Sequence, residues 1–319
     1  MQRAFHFLVA LLLTMLPAIT NAGKPPIAGP FDFSRHAIGI NVIVRDTRLF
    51  MLVDTGVEPS IVSLATAKAL NLPMDRSKAS EGSGFGRSKA VAIPATIDHL
   101  DIDGEVVADV EALTLDTSAM SKSYGRSIDG VLGYSFLNDK TVLIDYPART
   151  ITFLGDAKQA DGFTRQCRKH FSIPLLFLGD NHWPVMGEFR FGAVTAPATL
   201  DTGSSRSIGF FQTALQVKGI RDALKVTGKN IGASVGGNFT SSTAVLGVPV
   251  GFGPFQLPAG ATVSILPNNG QSDKVVANIG NILLAKLSPK LLLDYAGKRI
   301  SFFGDCPPNA APNDPYRPW

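Results

Sequence analysis

Tryptophan (2), cysteine (2) and tyrosine (5) are scarce in this chain of 319 residues, and no dense run of basic residues appears along it. With a formal net charge of only +4, the chain lacks the electrostatic and stacking footprint of a nucleic-acid binder, so no nucleic-acid partner is expected. Apolar runs of membrane-spanning length are missing past the N-terminal segment. Metal-type clusters are missing as well. His36, His99, His170 and His182 are scattered without the ligand spacing of a zinc site, and Asp98, His99, Asp101 and Asp103 read as a solvated strand and turn. There is no GxSxG elbow, phosphate-binding loop or dinucleotide fingerprint, so no metal and no cofactor is expected. The 31 Gly follow no triplet period and heptads are absent, which excludes collagen-like and coiled-coil architectures.

What is present is a globular composition, 45% hydrophobic and 18% charged. The 31 Gly and 21 Pro together make about one residue in six, which disfavours a helical bundle and favours short strands joined by turns. Residues 1–22, MQRAFHFLVALLLTMLPAITNA, read as a signal peptide: Arg3 supplies a basic start, Ala4 to Ile19 an apolar stretch short for a membrane span, and Thr20-Asn21-Ala22 a cleavage site with small residues at its −3 and −1 positions. The alternative is an uncleaved anchor. Cleavage would leave no stable membrane anchor and export the chain to the periplasm or the cell exterior. In such an oxidising compartment Cys167 and Cys306 are expected to form a disulfide, the alternative being two buried thiols. Each follows a similar strand end, ITFLGD at 151–156 and ISFFGD at 300–305.

That echo belongs to an internal repeat. Asp54-Thr55-Gly56 recurs as Asp201-Thr202-Gly203, each triplet ending an apolar run (49–53, LFMLV; 196–200, APATL). Val131-Leu132-Gly133 ends 79 residues after Asp54, and Asn278-Ile279-Gly280 ends 79 residues after Asp201. Leu143-Ile144-Asp145-Tyr146 and Leu292-Leu293-Asp294-Tyr295 follow in the same order, then a strand-like run in each half. A landmark order kept over such a length marks a duplication. Each half reads mainly as strand. Ile40–Arg45 and Arg48–Val53 flank a turn at Asp46-Thr47, Ala95–Leu100 and Val106–Leu115 flank one at Asp103-Gly104, and Ile61–Leu70 is the best helical stretch. The boundaries expected are a lobe over 23–160, a second over 161–306 and a Pro-rich disordered tail over 307–319.

Two Asp-Thr-Gly triplets, each after an apolar strand and each followed by a hydrophobic-Gly turn, resemble the aspartic proteases, over most of residues 33 to 305. The 147-residue separation of the triplets is more similar to two fused retropepsin-like repeats than to a long pepsin-like chain. The resemblance implies an all-β, bilobal acid-protease fold of two homologous β-barrel-like lobes with the active-site cleft between them. It also implies an aspartic endopeptidase in which Asp54 and Asp201 share one proton, the ionised carboxylate acting as general base on a water and the protonated one as general acid.

Further roles follow from the same resemblance. Thr55 and Thr202 are expected to hydrogen-bond across the lobes, with Gly56 and Gly203 turning the backbone behind each carboxylate, and Gly133 and Gly280 packing behind the loops. The Gly-rich stretches 82–86 and 228–237 are candidate flaps, with Gly84, Phe85, Gly86, Gly236 and Gly237 closing on substrate. Ser204, where the first half has Val57, is expected to donate its hydroxyl to the outer oxygen of Asp201, making Asp201 the more ionised partner. Asn278 departs from the family pattern, where a hydrophobic residue is usual. The expected partner is a peptide or protein substrate in extended conformation, cut by a monomer, since one chain carries both triplets. The alternatives are a non-catalytic peptide-binding module retaining the acid-protease fold, and halves that each pair with another chain. With some ten residues between Ala22 and the first fold residues near Phe31, no inhibitory prosegment is expected.

Overall fold

The computed structural model describes residues 26–82, 90–107, 109–154, 167–179, 181–234, 237–270 and 272–306. The signal-peptide segment 1–22, the boundary between lobes near 155–163 and the tail 307–319 lie outside these residues.

The strand that carries the first triplet, Thr47–Val53, buries all five residues from Leu49 to Val53, the pattern of a strand covered on both faces. It lies between Gly39–Val44, antiparallel, and Gly130–Leu132, parallel. Arg45 and Asp46 form the hairpin turn, both at positive φ (48° and 60°), one residue earlier than the Asp46-Thr47 expected from the sequence. Two successive left-handed residues match the right-handed twist of the flanking strands. The helix expected over Ile61–Leu70 is shortened at its start. Ser60–Ser63 is a strand, and the β-branched Ile61 and Val62 pair within the sheet. The helix is Leu64–Ala69, capped by the Ser63 hydroxyl, which accepts the Thr66 N–H at 2.9 Å.

The fold is all-β and bilobal, and the lobes are duplicates strand for strand. From edge to edge the first sheet runs Ser80–Gly82, Ala90–Ile97, Val110–Leu115, Ser60–Ser63, Gly130–Leu132, Thr47–Val53, Gly39–Val44, Leu100–Ile102, Glu105–Val107. The second runs Leu224–Ser234, Gly237–Leu246, Ala261–Leu266, Ile208–Phe211, Ala277–Gly280, Val194–Asp201, Pro184–Phe191, Val250–Phe252, Phe255–Leu257, with Leu176–Phe177 beside Pro184–Phe191. The Gly-rich stretch at 228–237 is thus largely strand, one arm and the start of the other in an edge hairpin. The two cores differ in filling. The first is mostly aliphatic, whereas the second is built on a run of packed rings, Phe191–Phe210 at 4.9 Å, Phe189–Phe252 at 5.5 Å and Phe252–Phe302 at 5.0 Å.

A third, six-stranded sheet joins the lobes, in the order Ile27–Pro30, Thr150–Leu154, Thr141–Asp145, Lys290–Asp294, Arg299–Gly304, Lys169–Pro174. At its centre Thr141–Asp145 and Lys290–Asp294 run antiparallel, with Asp145 opposite Lys290 and Thr141 opposite Asp294. Lys290 Nζ meets Asp145 Oδ2 at 3.0 Å with both side chains under a tenth exposed, and the Thr141 hydroxyl donates to Asp294 Oδ1 at 2.9 Å. Cys167 and Cys306 are joined in a disulfide and pack, partly buried, against the cluster of Leu143, Leu154, Leu292 and Phe303. No helix among the described residues is long and apolar enough to cross a membrane.

Lys290→Met leaves Asp145 buried without its cation and is expected to lower the unfolding free energy by about 3–5 kcal/mol. The double change Asp145→Leu with Lys290→Met should recover most of that loss. Urea denaturation of the three proteins measures both.

Candidate active site

Asp54 follows the Thr47–Val53 strand directly, and its backbone N–H donates to Leu132 O at 3.0 Å. Asp201 is the last residue of Val194–Asp201, and Gly280 lies beside it in parallel register. Equivalent strands therefore deliver the two carboxylates to the seam between lobes from opposite sides.

The loops are tied to each other through their threonines. The Thr55 N–H donates to Thr202 Oγ1 and the Thr202 N–H to Thr55 Oγ1, both at 3.1 Å. Each hydroxyl in turn donates across the seam, Thr55 Oγ1 to Leu200 O at 2.8 Å and Thr202 Oγ1 to Val53 O at 2.9 Å. Both side chains are buried, so each hydroxyl is fully used as donor and acceptor and either loop would leave unsatisfied groups without the other.

The glycines make the approach possible. A Cβ on Gly203 would overlap the Asp54 carboxyl, and one on Gly56 would lie 3.0 Å from Asp201 Cγ. Behind them, a side chain on Gly133 would run into Val57 O and Pro59 O, and one on Gly280 into the carbonyls of Ser204 and Arg206. The structure thus brings Asp54, Thr55, Gly56, Gly133, Asp201, Thr202, Gly203, Ser204 and Gly280 together.

The carboxyls are held unequally. Asp54 Oδ1 accepts the Gly56 N–H at 2.7 Å. Asp201 Oδ1 accepts the N–H groups of Gly203 and Ser204, each at 2.9 Å, and its Oδ2 accepts Asn278 Nδ2 at 2.6 Å. Ser204 therefore acts on Asp201 through its backbone N–H, and the side-chain donor on the outer oxygen is the Asn278 amide, not the Ser204 hydroxyl expected from the sequence. Ser204 Oγ lies instead near Gly280. Burial pushes the Asp54 carboxyl well above its ordinary value, and the neighbouring Asp201 charge raises it further.

Further polar residues line this region. His182, set aside as a lone histidine, meets the first loop: Glu58 accepts its backbone N–H at 2.8 Å and its Nδ1 lies 2.5 Å from Glu58 Oε1. Its ring stacks on Tyr134 at 3.9 Å. Arg206 leaves the second loop with its guanidinium over Phe239 and feels the Asp201 charge. Tyr295 is buried, and its hydroxyl has no hydrogen-bond partner among the described residues. Its counterpart in the first half, Tyr146, donates to Asn281 Oδ1 at 2.8 Å, and Asn281 Nδ2 donates to Thr202 O at 2.5 Å. The repeat marks Tyr146 and Tyr295 as matched landmarks, but sequence order signals no contact at the site for them, nor for His182, Arg206 or Asn281. Asp98 is paired to Arg45, and no group of metal-binding side chains occurs among the described residues.

The edge strands flanking the Gly-rich stretches hold matching places in the two sheets, Ser80–Gly82 with Ala90–Ile97 in the first and Leu224–Ser234 with Gly237–Leu246 in the second. Gly84, Phe85, Gly86 and Gly236 lie outside the described residues. Gly237, at φ +91°, opens the returning strand of the second hairpin. That hairpin reaches the first lobe, where Ile231, Gly232, Ala233 and Asn238 line a cleft of about 230 Å³ with Ala119, Lys122 and Ser123.

Residues 40–136 match the family described as aspartyl protease. No curated protein matches the chain. Among solved structures, soybean basic 7S globulin aligns with a TM-score of 0.47 at 13% identity, over 87% of this chain and 94% of that chain. A retropepsin-like aspartic protease from Rickettsia conorii aligns with a TM-score of 0.30 at 18% identity, over 40% of this chain and 90% of that one. The match to the aspartyl protease family falls on the first of two lobes of identical strand order, in each of which a central strand leads into an Asp-Thr-Gly triplet.

Proposed function

We propose that the protein is an exported aspartic endopeptidase that hydrolyses peptide bonds with Asp54 and Asp201. The observation that carries this reading is the close approach of the two carboxyls across the seam, where burial and the Asp201 charge raise the Asp54 carboxyl well above its ordinary value. A pair in which one member is protonated and the other ionised supplies an acid and a base at one point, and its titration belongs to the pair. A water between the carboxyls loses a proton to the ionised one as its oxygen attacks the scissile carbonyl carbon. The protonated carboxyl gives its proton to the carbonyl oxygen, and the resulting gem-diol collapses with the proton returned to the leaving nitrogen.

Substrate in this reading lies extended between the two edge hairpins, where strand-like binding gives backbone hydrogen bonds along its length and side-chain pockets on alternate faces. One chain supplies both aspartates, so the active species is a monomer. The apolar segment at 4–19 and the disulfide Cys167–Cys306 support export to the periplasm or beyond.

Hydrolysis of a peptide library between about pH 3 and 8 tests the reading. Wild type should cleave, and Asp54→Asn and Asp201→Asn should each lower kcat/KM by about 10²–10⁴-fold. An inert wild type, or variants as active as wild type, would turn the reading over to a peptide-binding module. Stability offers a separate check. The Asp54 carboxyl is raised on folding, so its contribution is complete below its ordinary value of 3.8 and is lost as pH rises through the folded value. Asp54→Asn, which has no proton to lose, should melt above wild type at pH 7, the difference shrinking toward pH 3, as read by scanning calorimetry.

A further inference from the structure

Because the two halves share one strand order, a chemical difference at matched positions beside the carboxyls carries information. Val131 and Asn278 are such a pair. Each stands two residues before the glycine behind its loop, on a strand parallel to the one that delivers the aspartate: Val131 beside Leu52, Asn278 beside Thr199. Val131 is fully buried in an apolar cluster with Phe50, Leu52, Ile61 and Tyr124. Asn278 is buried to the same degree, 3% exposed. A carboxamide there costs free energy unless it is hydrogen-bonded, and the bond it makes is to Asp201 Oδ2 at 2.6 Å. Three N–H groups thus converge on Asp201, those of Gly203, Ser204 and Asn278. Asp54 has the Gly56 N–H and a share of the Gly203 N–H, with no amide at position 131 to add a donor.

We propose that Asn278 is a positioning residue that holds the negative charge of the pair on Asp201 and so leaves the shared proton on Asp54, which assigns Asp201 as base toward the water and Asp54 as acid toward the substrate carbonyl. The roles rest on the hydrolytic reading above; the location of the charge does not. An N–H donor stabilises a carboxylate and has nothing to offer the oxygen of a neutral acid that carries the proton. The other groups facing the pair act in the same sense or are engaged elsewhere. Arg206 brings positive charge toward Asp201, and its guanidinium is held over the Phe239 ring at 5.0 Å. Burial raises the Tyr295 phenol and the Asp54 charge raises it further, so it brings no charge of its own. Glu58 and His182 are paired with each other, against Tyr134.

The geometry also points to which step of the pair's titration Asn278 acts on. With its N–H on Asp201 Oδ2, the amide favours loss of the pair's first proton and leaves the second, on Asp54, untouched. Were the amide turned round, its oxygen would accept a proton from Asp201 and the first ionisation would move the opposite way on its removal.

The test is Asn278→Val, which installs the residue of the first half, read by two methods. Carbon-13 NMR of aspartate-labelled protein follows the carboxyls directly, without any need for turnover, and the pH profile of kcat/KM follows the active form. In Asn278→Val the first ionisation should rise by about one to two pH units, the strength of an N–H donor to a charged acceptor, and the second should stay in place. The acid limb of kcat/KM should rise with it and the alkaline limb should not move. Asn278→Thr, which keeps a hydroxyl on the same branched shape, should shift the first ionisation less, and it stands in for the valine variant if that protein does not fold. A first ionisation that is unchanged or lower in the folded variants overturns the proposal. A shift seen by NMR in a protein that cleaves nothing keeps the assignment of charge and sinks the hydrolytic reading alone.

Discussion

Two carboxyl groups pressed together in a partly buried seam repel each other and lose part of their hydration, so the contact between Asp54 and Asp201 opposes folding and must be enforced from outside. Each restraint spans the seam. The threonine hydroxyls and N–H groups form a closed set of four hydrogen bonds between the loops. Beneath them the joining sheet pairs Thr141–Asp145 with Lys290–Asp294. The buried ion pair and the Thr141–Asp294 bond add charge and polarity in a place where slippage by one residue would leave them unmatched. The glycines do the remaining work by absence, since a single methyl at position 203 would occupy the space of the opposite carboxyl. The lobes are therefore better described as two halves of one clamp than as independent domains.

Much of this frame is legible in the chain because duplication writes the same landmarks twice. The spacing of 79 residues from Asp to Gly in each half, and the apolar runs before each triplet, locate the central strands without any structural knowledge. Local errors follow from competing signals. Ile61 sits at helical spacing with Leu64 and Ala67, yet the branched side chains of Ile61 and Val62 fit the pleated sheet that the rest of the lobe supplies. Arg45 and Asp46 take the left-handed conformation that composition alone assigns to glycine or asparagine.

The polar partners are less legible, because they come from strands that neighbour one another only after folding. Nothing between His182 and Glu58 in the sequence connects them. Ser204 illustrates the opposite trap: a hydroxyl next to an aspartate invites a role, while the backbone N–H of the same residue is the group that takes it. Asn278 did leave a mark, as a polar residue in a run that is otherwise apolar, but its target becomes visible only when parallel pairing sets it beside Thr199, two residues from Asp201.

Fusion of the halves into one polypeptide has a consequence for how such a centre can evolve. An enzyme assembled from two identical subunits must carry every substitution in both, so an amide that favours charge on one carboxylate would appear opposite the other as well, and the preference would cancel. A single chain is free of that bookkeeping. Valine at 131 and asparagine at 278 can be selected independently, and the symmetry inherited from duplication becomes a starting point from which the two aspartates drift into separate trades.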